Sequence, residues 1–341
     1  MGNLQIGGGS PISIQSMTST QTEDVSRTVR QIRRLEKEGC EMVRVAVRNM
    51  DSAGKLARIK EKVTVPIVAD IHFNHRIAIE AIKNGADKIR INPGNIGGKE
   101  QVREIVRAAK ERGIPIRVGV NSGSLEQEIL NRHGYPSAQA LFESAIRNVN
   151  LIEDMDFHDI VVSIKSTDVM TTIDSYRLIS KKTSHPLHIG LTEAGLPDTG
   201  TVKSAIALGL LLSEGIGDTI RVSMTSSPLE EVRVAKRILQ ALGLRRFGPD
   251  IIACPTCGRL QIDLIAIARQ IRRRLAGSTK DMKIAILGCA VNGPGEAREA
   301  DIGIAGGKGA GFLIKNGRFI RKVKEEDLVD VLIEEIEKFP P

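Results

Sequence analysis

Cys254-Pro255-Thr256-Cys257 and Gly288-Cys289 place three thiols in the last third of the chain, and a C-x-x-C pair brings two sulfurs within reach of one metal. Zinc held by three cysteines and a histidine is the ordinary reading of such a set. All six histidines (72, 75, 133, 158, 185 and 188) precede residue 189, so this segment supplies none. A four-cysteine site needs Cys40, which precedes the second predicted strand and reads as a small buried hydrophobe. A redox dithiol at Cys254 and Cys257 leaves Cys289 unexplained. Three cysteines plus a weaker oxygen ligand fit a 4Fe-4S cluster with one special iron. Glu296, seven residues past Cys289 and just after Gly293-Pro294-Gly295, is the local candidate for that ligand.

A second set of reactive side chains lies on predicted strands, where residues two apart share a face. The phase opposite Val43, Val45 and Val47 holds Arg44. The same phase carries Asp70 and His72, then Arg90 and Asn92, then Arg117, Gly119 and Asn121. It continues with Ser163 and Lys165, with His188, Gly190 and Thr192, and with Arg221 and Ser223. Four arginines and a lysine on one face, with Asp70 and Glu193 as the nearby acids, suit either an internal ion-pair network or a polyanionic ligand. The planar guanidinium fork matches phosphate oxygens, which favours a diphosphate over a simple carboxylate. Asn92-Pro93-Gly94-Asn95-Ile96-Gly97-Gly98-Lys99 is a glycine-rich turn that could let backbone N–H groups approach an anion, but it is not a Walker A loop. Gly306-Gly307-Lys308-Gly309-Ala310-Gly311 reads as a mobile turn.

The elements that must position these residues repeat as strand then helix. Strands are predicted at Ile12–Met17, Met42–Val47, Pro66–Ile71, Lys88–Asn92, Ile116–Asn121, Ile160–Lys165, Leu187–Thr192 and Thr219–Met224. Helical periodicity follows them, as in Val25–Glu38, Val102–Arg112, Ala138–Met155 and Val202–Ser213. Eight such units without hairpin signals predict a (β/α)8 TIM-type barrel over residues 1–244; a doubly wound open sheet is the alternative. Residues 245–249 read as a linker, and residues 245–341 as a small α+β domain. Its predicted elements are Ile251–Cys257, a helix at Gln261–Ala276, the strand Lys283–Val291, two strands flanking Asn316-Gly317, and a final helix at Glu325–Lys338.

Composition narrows the possibilities. The 341 residues are 41% hydrophobic and 26% charged, with net charge +8, seven Phe, two Tyr and no Trp. So few rings argue against modules that stack bases or sugars, while the positive surplus invites an anion. The basic run at Arg269 and Arg272–Arg274 reads as a solvated helix face, or as a dock for an acidic ferredoxin or flavodoxin. Four cysteines make no disulfide scaffold, no signal peptide opens the chain, and no apolar run reaches the ~18–20 residues of a membrane span, so a reducing cytoplasm is expected.

Several segments taken in order resemble the 4-hydroxy-3-methylbut-2-enyl diphosphate synthase family. They are Ile14-Gln15-Ser16-Met17-Thr18, Val68-Ala69-Asp70-Ile71-His72-Phe73, Arg90-Ile91-Asn92-Pro93-Gly94-Asn95-Ile96-Gly97 and Gly119-Val120-Asn121-Ser122-Gly123-Ser124-Leu125. Thr192-Glu193-Ala194-Gly195, the run Leu211–Thr219, Ala253-Cys254-Pro255-Thr256-Cys257 and Gly288-Cys289-Ala290-Val291-Asn292-Gly293-Pro294-Gly295-Glu296 continue the match to the small domain. The resemblance implies two-electron reductive opening and dehydration of 2-C-methyl-D-erythritol 2,4-cyclodiphosphate in the non-mevalonate isoprenoid pathway. It implies a 4Fe-4S cluster on Cys254, Cys257, Cys289 and Glu296. Arg44, Arg90, Arg117, Asn121, Lys165, Arg221 and Ser223 are implied to grip the diphosphate, with Asp70 and His188 lining the site and Glu193 as proton donor. A ferredoxin or flavodoxin donor and a head-to-tail homodimer with shared sites are implied too, with neither nucleic acid nor membrane as partner. The family's longer N-terminal start is expected to be lacking. Two other readings are a Schiff-base aldolase using Lys165 and an iron–sulfur regulator that binds nucleic acid.

Overall fold

A computed structural model describes residues 1–291 and 293–340, and the chain divides into two compact units, Met1–Arg245 and Arg246–Pro341. In the first unit, eight strands run parallel: β1 (Ser13–Met17), β2 (Met42–Ala46), β3 (Ile67–Asp70), β4 (Lys88–Ile91), β5 (Ile116–Asn121), β6 (Ile160–Lys165), β7 (His188–Ile189) and β8 (Thr219–Ile220). Their order, β6-β5-β4-β3-β2-β1-β8-β7, is that of a (β/α)8 barrel. The register sets Asp70 beside Arg90 and Arg90 beside Arg117, so inward-facing residues of neighbouring strands fall level with one another. The opposite phase, including Val43, Val45, Ile89, Ile91, Val118 and Val120, is buried against the surrounding helices. Helix Val25–Glu38 shows how these helices are built. Val29, Ile32 and Leu35 are buried on one face, the Asp24 side chain accepts the Arg27 N–H at its start, and Gly39 ends it in the left-handed region.

The ring closes thinly between β6 and β7, where among the described residues a single isolated bridge pairs Val162 with Leu187. Tyr176, on helix Val169–Ser180, stitches this seam. Its buried hydroxyl accepts the Ile164 N–H at 3.0 Å and donates to the His188 carbonyl at 2.5 Å. The hydroxyl thus stands in for a missing ladder bond. Strands β7 and β8 are shorter than the sequence pattern predicts. Beyond Ile189, Gly190 takes φ +153°, and a Cβ there would lie 2.2 Å from the Arg221 carbonyl oxygen. The two chains approach too closely for regular pleating, although Arg221 N still donates to Ile189 O.

The second unit is a five-stranded sheet in the order β13-β12-β11-β10-β9, formed by β9 (Asp250–Ala253), β10 (Lys283–Leu287), β11 (Ile302–Gly307), β12 (Ala310–Lys315) and β13 (Arg318–Lys324). Strands β9, β10 and β11 are parallel, and the last two pairings are antiparallel. Helices Leu264–Arg274 and Leu328–Glu337 supply Ile267, Ile271, Leu332 and Ile336 to a core with Ile284, Ile286, Ile302, Ile304 and Leu313. Alternate residues Ala285, Leu287 and Ala305 face a smaller apolar cluster. Strand β11 has no counterpart in the sequence reading, and the predicted mobile turn at Gly306–Gly311 is corrected. Gly306 and Gly307 pair with Gly311 and Ala310 across a Lys308-Gly309 hairpin, because so many glycines mask a strand pattern. Asn316 and Gly317 both take positive φ, as a type I′ turn requires. Asn292 of the predicted turn lies outside the described residues, and Gly293–Glu296 forms one helical turn. Among the described residues no helix is long and apolar enough to cross a membrane.

Tyr176→Phe tests the seam. It strands a buried N–H and a buried carbonyl together, so a stability loss of about 1–3 kcal/mol is expected from the urea midpoint. An unchanged midpoint would show that the hydroxyl is dispensable.

Candidate functional site

Asp70 is the first fixed point of the lumen. Its carboxylate lies 3.8 Å from Arg44 Nε, 3.3 Å from Arg90 Nη1 and 3.4 Å from His72 Nε2. Burial opposes its ionisation, but Arg44, His72 and Arg90 outweigh that and hold the carboxyl well below its usual range. Arg90 then crosses to β5, donating to the Gly119 carbonyl at 3.3 Å. Any Cβ at Gly119 would lie 2.3 Å from Arg90 Nε, so this glycine makes room for the guanidinium.

Arg117 is buried, donating from Nη1 to Gln15 Oε1 at 2.8 Å. His188 Nδ1 lies 3.3 Å from Thr219 Oγ1. Among the described residues Arg117 Nε, Arg221 Nε, Gln15 Nε2 and His188 Nε2 find no hydrogen-bond partner in the protein, which leaves them available to ligand oxygens. Burial and neighbouring arginines press Arg117 down from its ordinary value and push Arg221 to about 10, though a guanidinium stays charged at neutral pH. His188 is held neutral by burial and by the Arg117, Lys165, Lys88 and Arg44 cations around it.

Lys165 ends β6 with its amine over Gly190, whose missing side chain leaves it space. Burial, then Arg221, Arg44, Arg117 and Arg90, drives its pKa well down, so an arriving anion favours proton uptake by this amine. Asn121 and Ser223 are half-buried where β5 ends and beyond β8, and the Ser223 carbonyl accepts the Ala194 N–H. Asn92 turns away from the lumen: its side chain accepts the Gly94 N–H and donates to the Ser124 carbonyl, steadying the glycine-rich loop.

Glu193 does not join the internal network proposed for it. It is exposed beyond β7, takes φ +51°, and forms no ion pair among the described residues. The second acid of the lumen is instead Glu231, on helix Pro228–Ala241. Its Oε2 lies 3.6 Å from Arg221 Nη2 and 3.3 Å from Ser16 Oγ, while Oε1 accepts the Met224 N–H at 3.0 Å. Sequence reasoning missed it because a glutamate in the first helical turn reads as a solvated partner of the helix dipole. Lys88 and Gln15 were missed too, although Lys88 shares the phase of Arg90. Lys88 is buried and forms no ion pair among the described residues; Met42 Sδ lies 4.0 Å from its amine. Burial and Arg117 press its amine far below the ordinary lysine value.

In the second unit, Cys254 leaves β9 and Cys289 follows β10. The Gly288 N–H donates to Cys254 Sγ at 3.1 Å, so the two cysteine loops adjoin. A Cβ at Gly288 would collide with Leu260, so close approach of these loops depends on glycine. The backbone N–H and side chain of Arg259 lower the Cys257 thiol pKa, favouring the thiolate that binds metal. Cys40, by contrast, is buried at the barrel, where desolvation raises its thiol to about 12. Glu296 is exposed at the end of its helical turn. Among the described residues no three His, Cys, Asp or Glu side chains converge as a ready metal site. The donor set of three thiols and a carboxylate, two of the thiols on adjoining loops, nevertheless fits an iron–sulfur cluster.

Fold and lumen define a barrel enzyme shaped around a multiply charged anion. Solved barrels share its architecture at 12% identity or less: a Clostridium difficile type I 3-dehydroquinate dehydratase (TM-score 0.52, covering 71% of this chain and 95% of that one) and a Leptospira borgpetersenii N-acetylneuraminic acid synthetase (TM-score 0.50, 82% and 97%). Residues 1–236 match the GcpE TIM-barrel domain and residues 250–338 the GcpE protein C-terminal domain. The chain belongs to the GcpE family. It is 57% identical to the 4-hydroxy-3-methylbut-2-en-1-yl diphosphate synthase (flavodoxin) of Clostridium perfringens, over 99% of this chain and 97% of that one. It is 59% identical to the protein of the same name from Caldicellulosiruptor saccharolyticus, over 98% and 96%.

Two substitutions read the lumen directly. A lysine with a depressed folded pKa binds fewer protons folded than unfolded, so stability rises with pH up to the unfolded value near 10.4. Lys88→Met should raise stability at pH 7 by about 1–3 kcal/mol and flatten that rise, as read from urea midpoints across pH. Glu231→Gln should loosen Arg221 and weaken inorganic diphosphate binding about tenfold by calorimetry; unchanged affinity would remove Glu231 from the site.

Proposed function

We propose that this chain opens 2-C-methyl-D-erythritol 2,4-cyclodiphosphate reductively to (E)-4-hydroxy-3-methylbut-2-enyl diphosphate, releasing water, in the cytoplasm. One observation carries the reading: among the described residues Arg44, Arg90, Arg117, Arg221, Lys165 and Lys88 line the lumen, and Asp70 and Glu231 are the acids paired with them. Two electrons and one proton enter, the C2–O bond to phosphate breaks, and the C3 hydroxyl departs as water. The opened diphosphate carries one more ionised oxygen than the cyclic one. A cationic lumen therefore stabilises the charge that develops during reaction more than the charge already present, which is what accelerates a step.

Within this reading Arg44, Arg90, Arg117 and Arg221 hold the phosphate oxygens, with Lys165, Asn121 and Ser223 completing the grip. Asp70 keeps Arg44 and Arg90 in place, and His188 lines the site as a neutral imidazole. Glu193 Oε gives the proton to the leaving hydroxyl; its exposed, left-handed position beyond β7 suits a group that must refill from solvent. Cys254, Cys257, Cys289 and Glu296 would hold a 4Fe-4S cluster, which when bound would supply electrons singly and a Lewis-acidic iron. Arg259 lowers the Cys257 thiol pKa, and the Gly288 N–H donates to the Cys254 sulfur. Flavodoxin, which appears in the relatives' names, or ferredoxin donates the electrons. The chain works as a head-to-tail homodimer. The Schiff-base aldolase and the nucleic-acid regulator are not favoured, since family membership spans both units.

The deciding experiment is an anaerobic assay with the cyclic diphosphate and dithionite, in which the linear diphosphate must form. Arg117→Ala should weaken binding of the cyclic diphosphate at least tenfold. Glu296→Ala should leave a less stable cluster and almost no turnover; full turnover would sink that ligand assignment. Mixed Cys289→Ala and Arg117→Ala chains should recover part of the activity, and no recovery would reject sites shared between subunits.

A further inference from the structure

The outer strand β13 carries Arg318, Phe319, Ile320, Arg321, Lys322 and Lys324, all exposed, with only Val323 buried. Phe319 is 61% and Ile320 49% exposed, large values for apolar side chains in a strand. Phe319 meets Phe312 of β12 edge-on, with ring centroids 5.7 Å apart. Among the described residues no acid forms an ion pair with Arg318, Arg321 or Lys322, and only Lys324 has a partner, Glu326 at 3.6 Å. An edge strand is often studded with charge to repel other edges. That purpose does not call for an exposed phenylalanine, backed by the half-buried Phe312, and an exposed isoleucine among the cations. Apolar centre and charged rim together are the anatomy of an interface.

The strand belongs to the sheet whose parallel edge bears the cysteines. Lys324 pairs with Ala310, Ala310 with Gly307, and Gly306 packs on the Gly288 carbonyl beside Cys289. The cationic end of β13 is therefore three strand spacings, about 14 Å, from the end of β10 that leads to Cys289. We propose that β13, with Phe312 and Phe319 at its centre, is the docking surface for an acidic one-electron carrier protein of the flavodoxin type. The proposal rests on the redox function proposed above and adds the place where electrons enter. Each encounter oxidises one reduced carrier by one electron, and two encounters supply the pair used in ring opening. A patch of this size suits the weak, small interfaces of redox encounters, and its charge would speed association in a salt-dependent way.

The test uses the cluster-loaded full chain with Arg318→Glu, Arg321→Glu and Lys322→Glu combined. With reduced flavodoxin as donor, kcat/KM for the carrier should fall at least tenfold and lose most of its dependence on ionic strength. With dithionite, turnover should stay at the wild-type rate. Phe319→Ser should raise the carrier KM several-fold under the same conditions. Unchanged flavodoxin kinetics overturn the proposal, and do so in favour of a nucleic-acid surface if the triple variant instead loses binding to duplex DNA. If the triple variant also loses dithionite turnover, Lys322→Glu and Phe319→Ser are read singly, and carrier-specific loss in neither overturns it. Failure of the wild type itself with dithionite would strike the proposed reaction rather than this surface.

Discussion

Like charges buried together in a low-dielectric space repel, and the barrel has to be organised around that repulsion. Asp70 is the main counterweight on one side, flanked by Arg44 and Arg90, and Glu231 reaches in from a helix to meet Arg221 on another. Neither acid forms an ion pair with Lys165 or Lys88, and burial with the neighbouring cations lowers the pKa of both amines. A scaffold that merely needed filling would use branched aliphatics here, as ordinary barrels do. The proposed diphosphate substrate accounts for these cations: its phosphate oxygens would complete the balance.

Much of this was legible in the sequence, because strand alternation is a two-residue rule that survives in a parallel barrel. Arg44, Asp70, Arg90, Arg117, Lys165 and Arg221 all fall on the lumen phase it predicts. Other members were hidden for specific reasons. Glu231 lies on a helix, where an acid in the first turn has a sufficient local explanation. Tyr176 carries no sequence motif, and only the seam reveals its hydroxyl as a backbone surrogate. Asn92 has the right phase, yet the glycine-rich loop that follows recruits its side chain. Glu193, expected as a proton donor and only alternatively as an internal counter-ion, stands exposed beyond β7 with positive φ.

The second unit repeats the lesson with glycine. Gly303 and Gly306 admit neighbouring backbone where any Cβ would clash, at 2.6 Å from the Ala285 carbonyl oxygen and 2.5 Å from the Gly288 oxygen. The residues that let β11 pack against β10 are therefore the ones that erase its hydrophobic signature. The same close packing makes one rigid sheet of the cysteine-bearing edge and the cationic edge.

The seam between β6 and β7 has a consequence for the life of the protein. It is the least bonded join of the barrel, and Lys165 and His188 stand on its two sides. An anion bound between Lys165 and His188 would bridge this junction and tie its two strands together. By mass action a bound ligand stabilises the folded chain, by about 2.7 kcal/mol at a hundred times its dissociation constant. Supply of the substrate would then govern not only flux but the resistance of the enzyme to proteolysis, so that its abundance follows the pathway feeding it.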